Sequence, residues 1–244
     1  MISRVAVCTI AVCFCVSFSV YAQSTYRITE LKLAQSDSSC SIDGSYPKVE
    51  GLADKAAQSR CNKTIASLVN GWLQGFTSTS HLAFTRFITR AGTGPVSFLN
   101  ISYDVELNGV RFLSLTLEWS GRPAGSPHPI VEYEGLTFDL ESGKEIFLYD
   151  LFDPGTHYLD TLSHVCTEDL LGQNASLEKV IEGTSPLYGN FHNFTLDDES
   201  LTIMFGPEQV DTYKSAPAGR SVKIPYFKLE HILRKHGPLS KLFK

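Results

Sequence analysis

Ser126 and His128 stand two residues apart in Ser120–Pro129, Ser-Gly-Arg-Pro-Ala-Gly-Ser-Pro-His-Pro, and of this 244-residue chain they are the pair best suited to chemistry. A serine and a histidine become hydrolytic when the imidazole reaches the hydroxyl and a carboxylate orients the ring. Proximity on one loop does not establish that, so a hydrolase using His128 stands beside a binding or loop-shaping role for the same ring. The other histidines, at 81, 157, 164, 192, 231 and 236, are scattered, and no two share a helix face at i, i+4. There is no His-Glu-x-x-His, no Gly-x-Ser-x-Gly, no Cys-x-x-Cys and no phosphate-cradling Gly-rich loop with Lys. Neither a metal nor a cofactor is implied. Asn62-Lys-Thr, Asn100-Ile-Ser, Asn174-Ala-Ser and Asn193-Phe-Thr match the glycosylation tripeptide, a pattern common by chance.

The loop needs a frame, and the residues on either side of it supply one. Leu99, Ile101, Tyr103 and Val105 alternate with Asn100, Ser102 and Asp104, the period of a strand with one buried face. Asn108-Gly109 turns the chain back into Leu113, Leu115, Leu117 and Trp119. A three-residue loop with Gly109 left-handed keeps the apolar faces together and pairs Tyr103 with Leu113 and Ile101 with Leu115. Leu136, Phe138 and Leu140 then return through Glu141-Ser142-Gly143 into Lys144, Ile146 and Leu148, and the phase change from Val131 and Tyr133 predicts a bulge near Gly135. On this frame Arg122, Ser126 and His128 sit on the exposed loop, Trp119 and Tyr133 at its base. Tyr213 joins them if the second long loop, Gly206–Arg220, lies at the same end. These six are the candidate ligand contacts.

Before the sheet, Tyr26–Ala34 reads as a strand, 36–44 as turn, and Tyr46–Val49 as a short edge strand containing Pro47. Leu52–Phe76 is the strongest helix, with Ala57, Cys61, Ile65, Leu68, Val69, Trp72, Leu73 and Phe76 on one stripe. After the sheet, Asp153-Pro154 starts a second helix as cap and first residue, Leu177–Ile181 is a short helix, and 191–194, 201–205 and 222–226 are strands. Phe227–Lys235 closes as a helix ahead of a basic tail.

Arg4 followed by the apolar run Val5–Val20 and Val20-Tyr21-Ala22 reads as a signal peptide over 1–22, with a retained anchor as the alternative. Residues 23–244 then form one domain, with an N-terminal part (23–95) and a C-terminal part (96–244) sharing a core. Removing Arg4 leaves 20 basic against 26 acidic residues, a net charge of about −6. With no basic stripe, nucleic acid is excluded as a partner class, and a cationic protein is favoured. Past the signal no membrane span is expected. In the oxidising compartment this implies, Cys40, Cys61 and Cys166 give one pair and one leftover. Cys40–Cys61 would close about twenty residues and contribute roughly 3 kcal/mol; Cys61–Cys166 is the rival pairing.

Several stretches, in order, resemble a family. They are Tyr46-Pro-Lys-Val-Glu-Gly-Leu52 with Cys61-Asn-Lys-Thr-Ile65, then Gly125-Ser-Pro-His-Pro129, where Pro127 departs from the family's Ala. Phe138-Asp-Leu-Glu-Ser-Gly-Lys-Glu-Ile146 with Asp150-Leu-Phe152 follows, and Phe205-Gly-Pro-Glu208 leads through Gly219 to Ile224-Pro-Tyr226. From about Tyr26 to Leu233 the chain is similar to the domain of unknown function shared by the extracellular part of the anti-sigma factor RsiV and the N-terminal region of the peptidoglycan deacetylase PdaC. The resemblance implies an α+β fold, a mostly antiparallel β-sheet with helices packed on it, located outside the cytoplasm. It implies a secreted or periplasmic, non-enzymatic recognition module of the bacterial cell envelope, binding a lysozyme-like protein or cell-wall glycan. A structural or assembly module with a protein partner encoded elsewhere is the further alternative.

Overall fold

In the computed structural model, residues 26–91 and 96–241 are described. The expected signal segment and the final residues of the basic tail lie outside them.

The expected apolar alternation builds a six-stranded sheet: β1 (Arg27–Ser36), β2 (Cys40–Glu50), β3 (Ser97–Asn108), β4 (Phe112–Arg122), β5 (Ile130–Asp139) and β6 (Lys144–Glu145), side by side in chain order. Every neighbouring pair is antiparallel except β2 and β3, which run parallel over Cys40–Gly44 and Ser97–Ile101. The crossover between those two is α1 (Lys55–Ala91), which packs on β2. It runs well beyond the expected end at Phe76, because Gly71 and Gly75 have open space around them and ask for no break. Its inward stripe is Ala57, Cys61, Ile65, Val69, Phe76 and Ser80, all buried. The stretch 36–44, expected as turn, is mostly strand, and only 37–39 turn the chain. Gly44 is the reason. It has φ +121°, and a Cβ there would lie 2.0 Å from the Ile101 carbonyl oxygen, so only glycine lets β2 and β3 close up.

Ile101 and Leu115 share the α1 face, but the expected register does not form. Val105 pairs with Leu115 and Ile101 with Trp119, and a bulge between Val105 and Leu107 absorbs one residue. That bulge turns Leu107 from the α1 side to the opposite side, where a second core waits for it. No bulge occurs at Gly135, for β4 and β5 stay in register from Phe112–Asp139 to Gly121–Ile130. The phase change has another cause: both faces of β5 are covered at this point. Leu136 and Phe138 point to α1, while Gly135 meets the chain behind it, Phe194, whose carbonyl oxygen would be 2.0 Å from an added Cβ.

That chain is a second, three-stranded antiparallel sheet, β7 (Phe194–Leu196), β8 (Ser200–Phe205) and β9 (Arg220–Pro225), lying against β3, β4 and β5. With it pack α2 (Tyr158–Gly172), α3 (Leu177–Gly183) and α4 (Tyr188–Phe191). Three expectations fail here. The second helix starts at Tyr158, since Asp153 accepts a turn hydrogen bond from Thr156 and Gly155 takes φ +94°. Residue 191 ends a helix rather than starting a strand, and the segment 227–235 is not the expected helix: a single 3-10 turn (Tyr226–Lys228) gives way to turns and a bridge at Leu233.

The Cys40–Cys61 bridge does not form; Cys40, Cys61 and Cys166 are buried free thiols. Ser39, next to Cys40, is hydrogen-bonded to His81 on α1, and His81 lies about 30 Å of helix beyond Cys61. No disulfide spans that gap. Cys61 and Cys166 sit in different cores, which removes the rival pairing.

Two side-chain amides substitute for missing strands. Where β3 parts from β2, Asn62 of α1 accepts from the Val49 N–H and donates to its carbonyl, both at 2.8 Å. On the outer edge of β5, Asn193 accepts from Gly135 N–H (2.7 Å) and donates to Tyr133 carbonyl (2.9 Å). Both asparagines belong to glycosylation-like tripeptides, yet their amides are fully engaged in the fold.

Candidate functional site

The β4–β5 loop and the β8–β9 loop do meet. His128 stacks on Tyr213 with ring centroids 4.1 Å apart, and the Tyr213 hydroxyl donates to the Pro129 carbonyl at 3.1 Å. The rest of the Gly/Pro loop is tied to itself: Ser126 Oγ donates to the His128 carbonyl (2.7 Å), and Arg122 Nε to the Ser126 carbonyl (3.2 Å). His128 Nδ1 lies 3.1 Å from the Pro129 carbonyl. The serine hydroxyl and the imidazole are thus each spent on backbone, not on one another, which is no arrangement for nucleophilic attack.

Trp119 and Tyr133 do not form one base under that loop. Trp119 points to the α1 side, edge-on to Phe76, its Nε1 donating to Glu132 at 2.9 Å. Tyr133 pairs with Glu118, one residue over, and so points the other way.

There, between the two sheets, opens a cleft of about 450 Å³. One wall is the outward face of β3–β5, with Asp104, Thr116, Glu118 and Tyr133, and the other carries Met204, Ser221 and Lys223. Glu106, the extra residue of the β3 bulge, sits on the rim and accepts from Thr116 Oγ1 at 3.2 Å. Ala218 and Gly219 reach the lining from the same loop that carries Tyr213, so the His128–Tyr213 joint braces a segment of the cleft wall.

Charge is unevenly distributed over this lining. Lys223 is committed to Asp197 (2.8 Å), and Arg220 to the buried Asp211. Asp104 and Glu118 have no hydrogen-bond or ion-pair partner among the described residues. Burial, then the neighbouring Asp104, pushes the Glu118 carboxyl above its ordinary range, and burial followed by Glu118 does the same to the Tyr133 phenol. A cationic group entering the cleft would relieve that strain. Among the described residues no His, Cys, Asp and Glu side chains are grouped to hold a metal ion, and no helix is long and apolar enough to cross a membrane.

Ser39, His81 and Asp37 bring the three hydrolytic residue types together at the β1–β2 turn. The buried Ser39 hydroxyl lies 3.0 Å from His81 Nδ1 but donates to Asp37 at 2.7 Å, and Asp37 also takes the Ser39 and Cys40 N–H groups. Those hydrogen bonds hold the Asp37 carboxyl down at about 2. It is a clamp on the turn.

Residues 149–226 match the family model described as a protein of unknown function, DUF3298. Over those residues the chain is similar to the DUF3298 family. The fold agrees over most of its length, well beyond the matched segment. A crystal structure of a DUF3298 family member from Bacteroides fragilis superposes with a TM-score of 0.68 at 15% identity, covering 90% of this chain and 99% of that one. A DUF3298 family protein from Pseudomonas aeruginosa gives 0.56 at 13% identity, covering 87% and 95%. In sequence, the chain is 27% identical over 81 residues to an esterase, Rv3036c, of Mycobacterium tuberculosis; the match spans 33% of this chain and 36% of the esterase. The DUF3298 segment supplies one wall of the cleft and Tyr213, while β3–β5 supply the acidic wall. Of the six expected contacts only Tyr133 lines this cleft; Asp104, Thr116 and Glu118 were passed over, because alternate polar residues on a strand read as solvent-facing until a second sheet is known to lie over them.

Proposed function

We propose that this chain is a non-enzymatic recognition module of the cell envelope, working outside the cytoplasm, and that its inter-sheet cleft receives a cationic group of a lysozyme-like protein. The observation that carries the reading is the pair of the exposed Asp104 and the half-buried Glu118, carboxylates with no cation partner among the described residues, beside a tyrosine and a methionine. A lysine or arginine seated there gains charge-assisted hydrogen bonds in a partly desolvated site, and the acidic body of the protein favours the encounter. Calorimetry against lysozyme tests it. Saturable binding that weakens with salt and is lost in Asp104→Asn/Glu118→Gln supports the proposal; no heat, or binding indifferent to that double change, removes it.

The likeness to the mycobacterial esterase favours a second reading, ester hydrolysis. Turnover of a p-nitrophenyl ester by the purified chain, above buffer and lost on heat denaturation, would select it.

A further inference from the structure

We propose that an exposed row of rings along the outer edge of β5, Phe147, Tyr149, Tyr188 and His192, is a binding platform for an uncharged oligosaccharide. Phe147 and Tyr149 follow β6, and Tyr188 and His192 stand on and just after α4. Successive centroids are 5.5, 6.1 and 6.3 Å apart, with neighbouring planes inclined by 18°, 42° and 38°. Phe147, Tyr149 and Tyr188 are 40, 49 and 38% exposed, so each ring shows much of its surface to solvent.

Phe147 stacks on Tyr149 and the next two rings are tilted, so the row is a stepped, open floor and not a box. A quaternary ammonium asks for rings on several sides, whereas the flat C–H face of a pyranose lies on one ring, and a chain of them on consecutive rings. Sugars also need acceptors beside the floor. Glu134 on β5 and Glu145 on β6 are half-buried, close enough for their charges to act on one another, and without a hydrogen-bond partner among the described residues. Burial first, then that mutual repulsion, raises Glu145, and burial raises Glu134. Carboxylates without a partner gain charge-assisted hydrogen bonds from the hydroxyl donors of a sugar. The Tyr188 hydroxyl feels Tyr149, Tyr158, Glu145 and Asp150, so polar groups gather at the middle of the row.

The platform is also held rigid. Leu148, Leu151 and Phe191, next to these rings in the chain, are buried, Asp150 accepts from the Phe147 N–H at 3.0 Å, and His192 Nδ1 is 2.8 Å from the Gly189 carbonyl. Exposed rings on a fixed backbone lose little freedom on binding. This inference shares with the function proposed above the view that the chain recognises envelope material, but it uses a different surface.

The test is calorimetry of the mature chain with two neutral probes, chitotetraose and cellotetraose. Saturable binding of at least one is expected, weakened at least about fivefold by Tyr149→Leu or Tyr188→Leu, and unchanged by Asp104→Asn/Glu118→Gln. The leucine variants keep apolar bulk, and an unchanged melting temperature certifies their folding. Absence of binding by either probe, or binding that survives both ring changes, overturns the proposal. The lysozyme measurement on the same cleft variant fails or succeeds separately, so the two readings fall independently.

Discussion

Replacing Asn193 with alanine should cost about 1.5–4.5 kcal/mol of stability. What the side chain supplies is two hydrogen bonds to the free edge of β5. Its oxygen takes the Gly135 N–H at 2.7 Å and its nitrogen serves the Tyr133 carbonyl at 2.9 Å. Gly135 is buried, and Phe194 presses on it so closely that water has no approach. Its orphaned N–H therefore carries the full desolvation penalty, about 1–3 kcal/mol. The Tyr133 carbonyl, on a half-buried residue, can turn toward solvent and adds about 0.5–1.5 kcal/mol. The backbone bond from Met204 N–H to the Asn193 carbonyl is untouched by the change and keeps β8 in place. Urea unfolding followed by tryptophan fluorescence, with Trp72 and Trp119 as reporters, measures the effect. A lower midpoint with unchanged slope is expected. A loss below about 0.5 kcal/mol would refute the view that amide side chains replace strands in this sheet.

Asn62→Ala should lose a similar amount by the same assay, because Val49 is fully buried where Asn62 serves it. Gly44→Ala should destabilise by at least about 2–3 kcal/mol, read as a fall in melting temperature, since positive φ and contact with the Ile101 carbonyl act together. Alkylation of the unfolded, unreduced protein should modify all of Cys40, Cys61 and Cys166; protection of two of them would show a bridge that the structure lacks. Acid titration should be two-sided. Glu118, Glu134 and Glu145 have raised carboxyls, so the folded state takes up their protons first and stability rises as pH falls through that range. Asp37, held at about 2, and the lowered Asp197 and Asp211 contribute stability above the ordinary aspartate range, which is lost as pH falls through their folded values. A chemical-denaturation series from pH 7 to strong acid, showing a steady decline without an initial rise or plateau, would contradict the first half.

The central sheet, the α1 stripe and the meeting of the two long loops were legible because apolar periodicity and Gly/Pro punctuation are local signals. Register was not, since the bulge at Glu106 is imposed by the need to send Leu107 into the second core, and nothing near residue 106 announces it. The same holds for Gly135. Its neighbourhood reads as a phase error when only one covered face is imagined, and as continuous strand once Phe194 lies against it. The cysteines misled for a simpler reason: sequence separation within a loop says nothing about a helix of 37 residues carrying its two ends far apart. The cleft's acidic wall was hidden by the rule that makes strands readable, that polar alternates face water.

The parallel seam between β2 and β3 has a consequence for assembly. The β1–β2 hairpin and the β3–β6 meander can each zip from short turns, but they join along only Cys40–Gly44 and Ser97–Ile101. That seam cannot close until the whole of α1 has wound and laid itself across both pieces, a distant encounter of the kind that slows folding. Refolding should accordingly show its slow step in the burial of Trp72 and Trp119, with local strand structure already present.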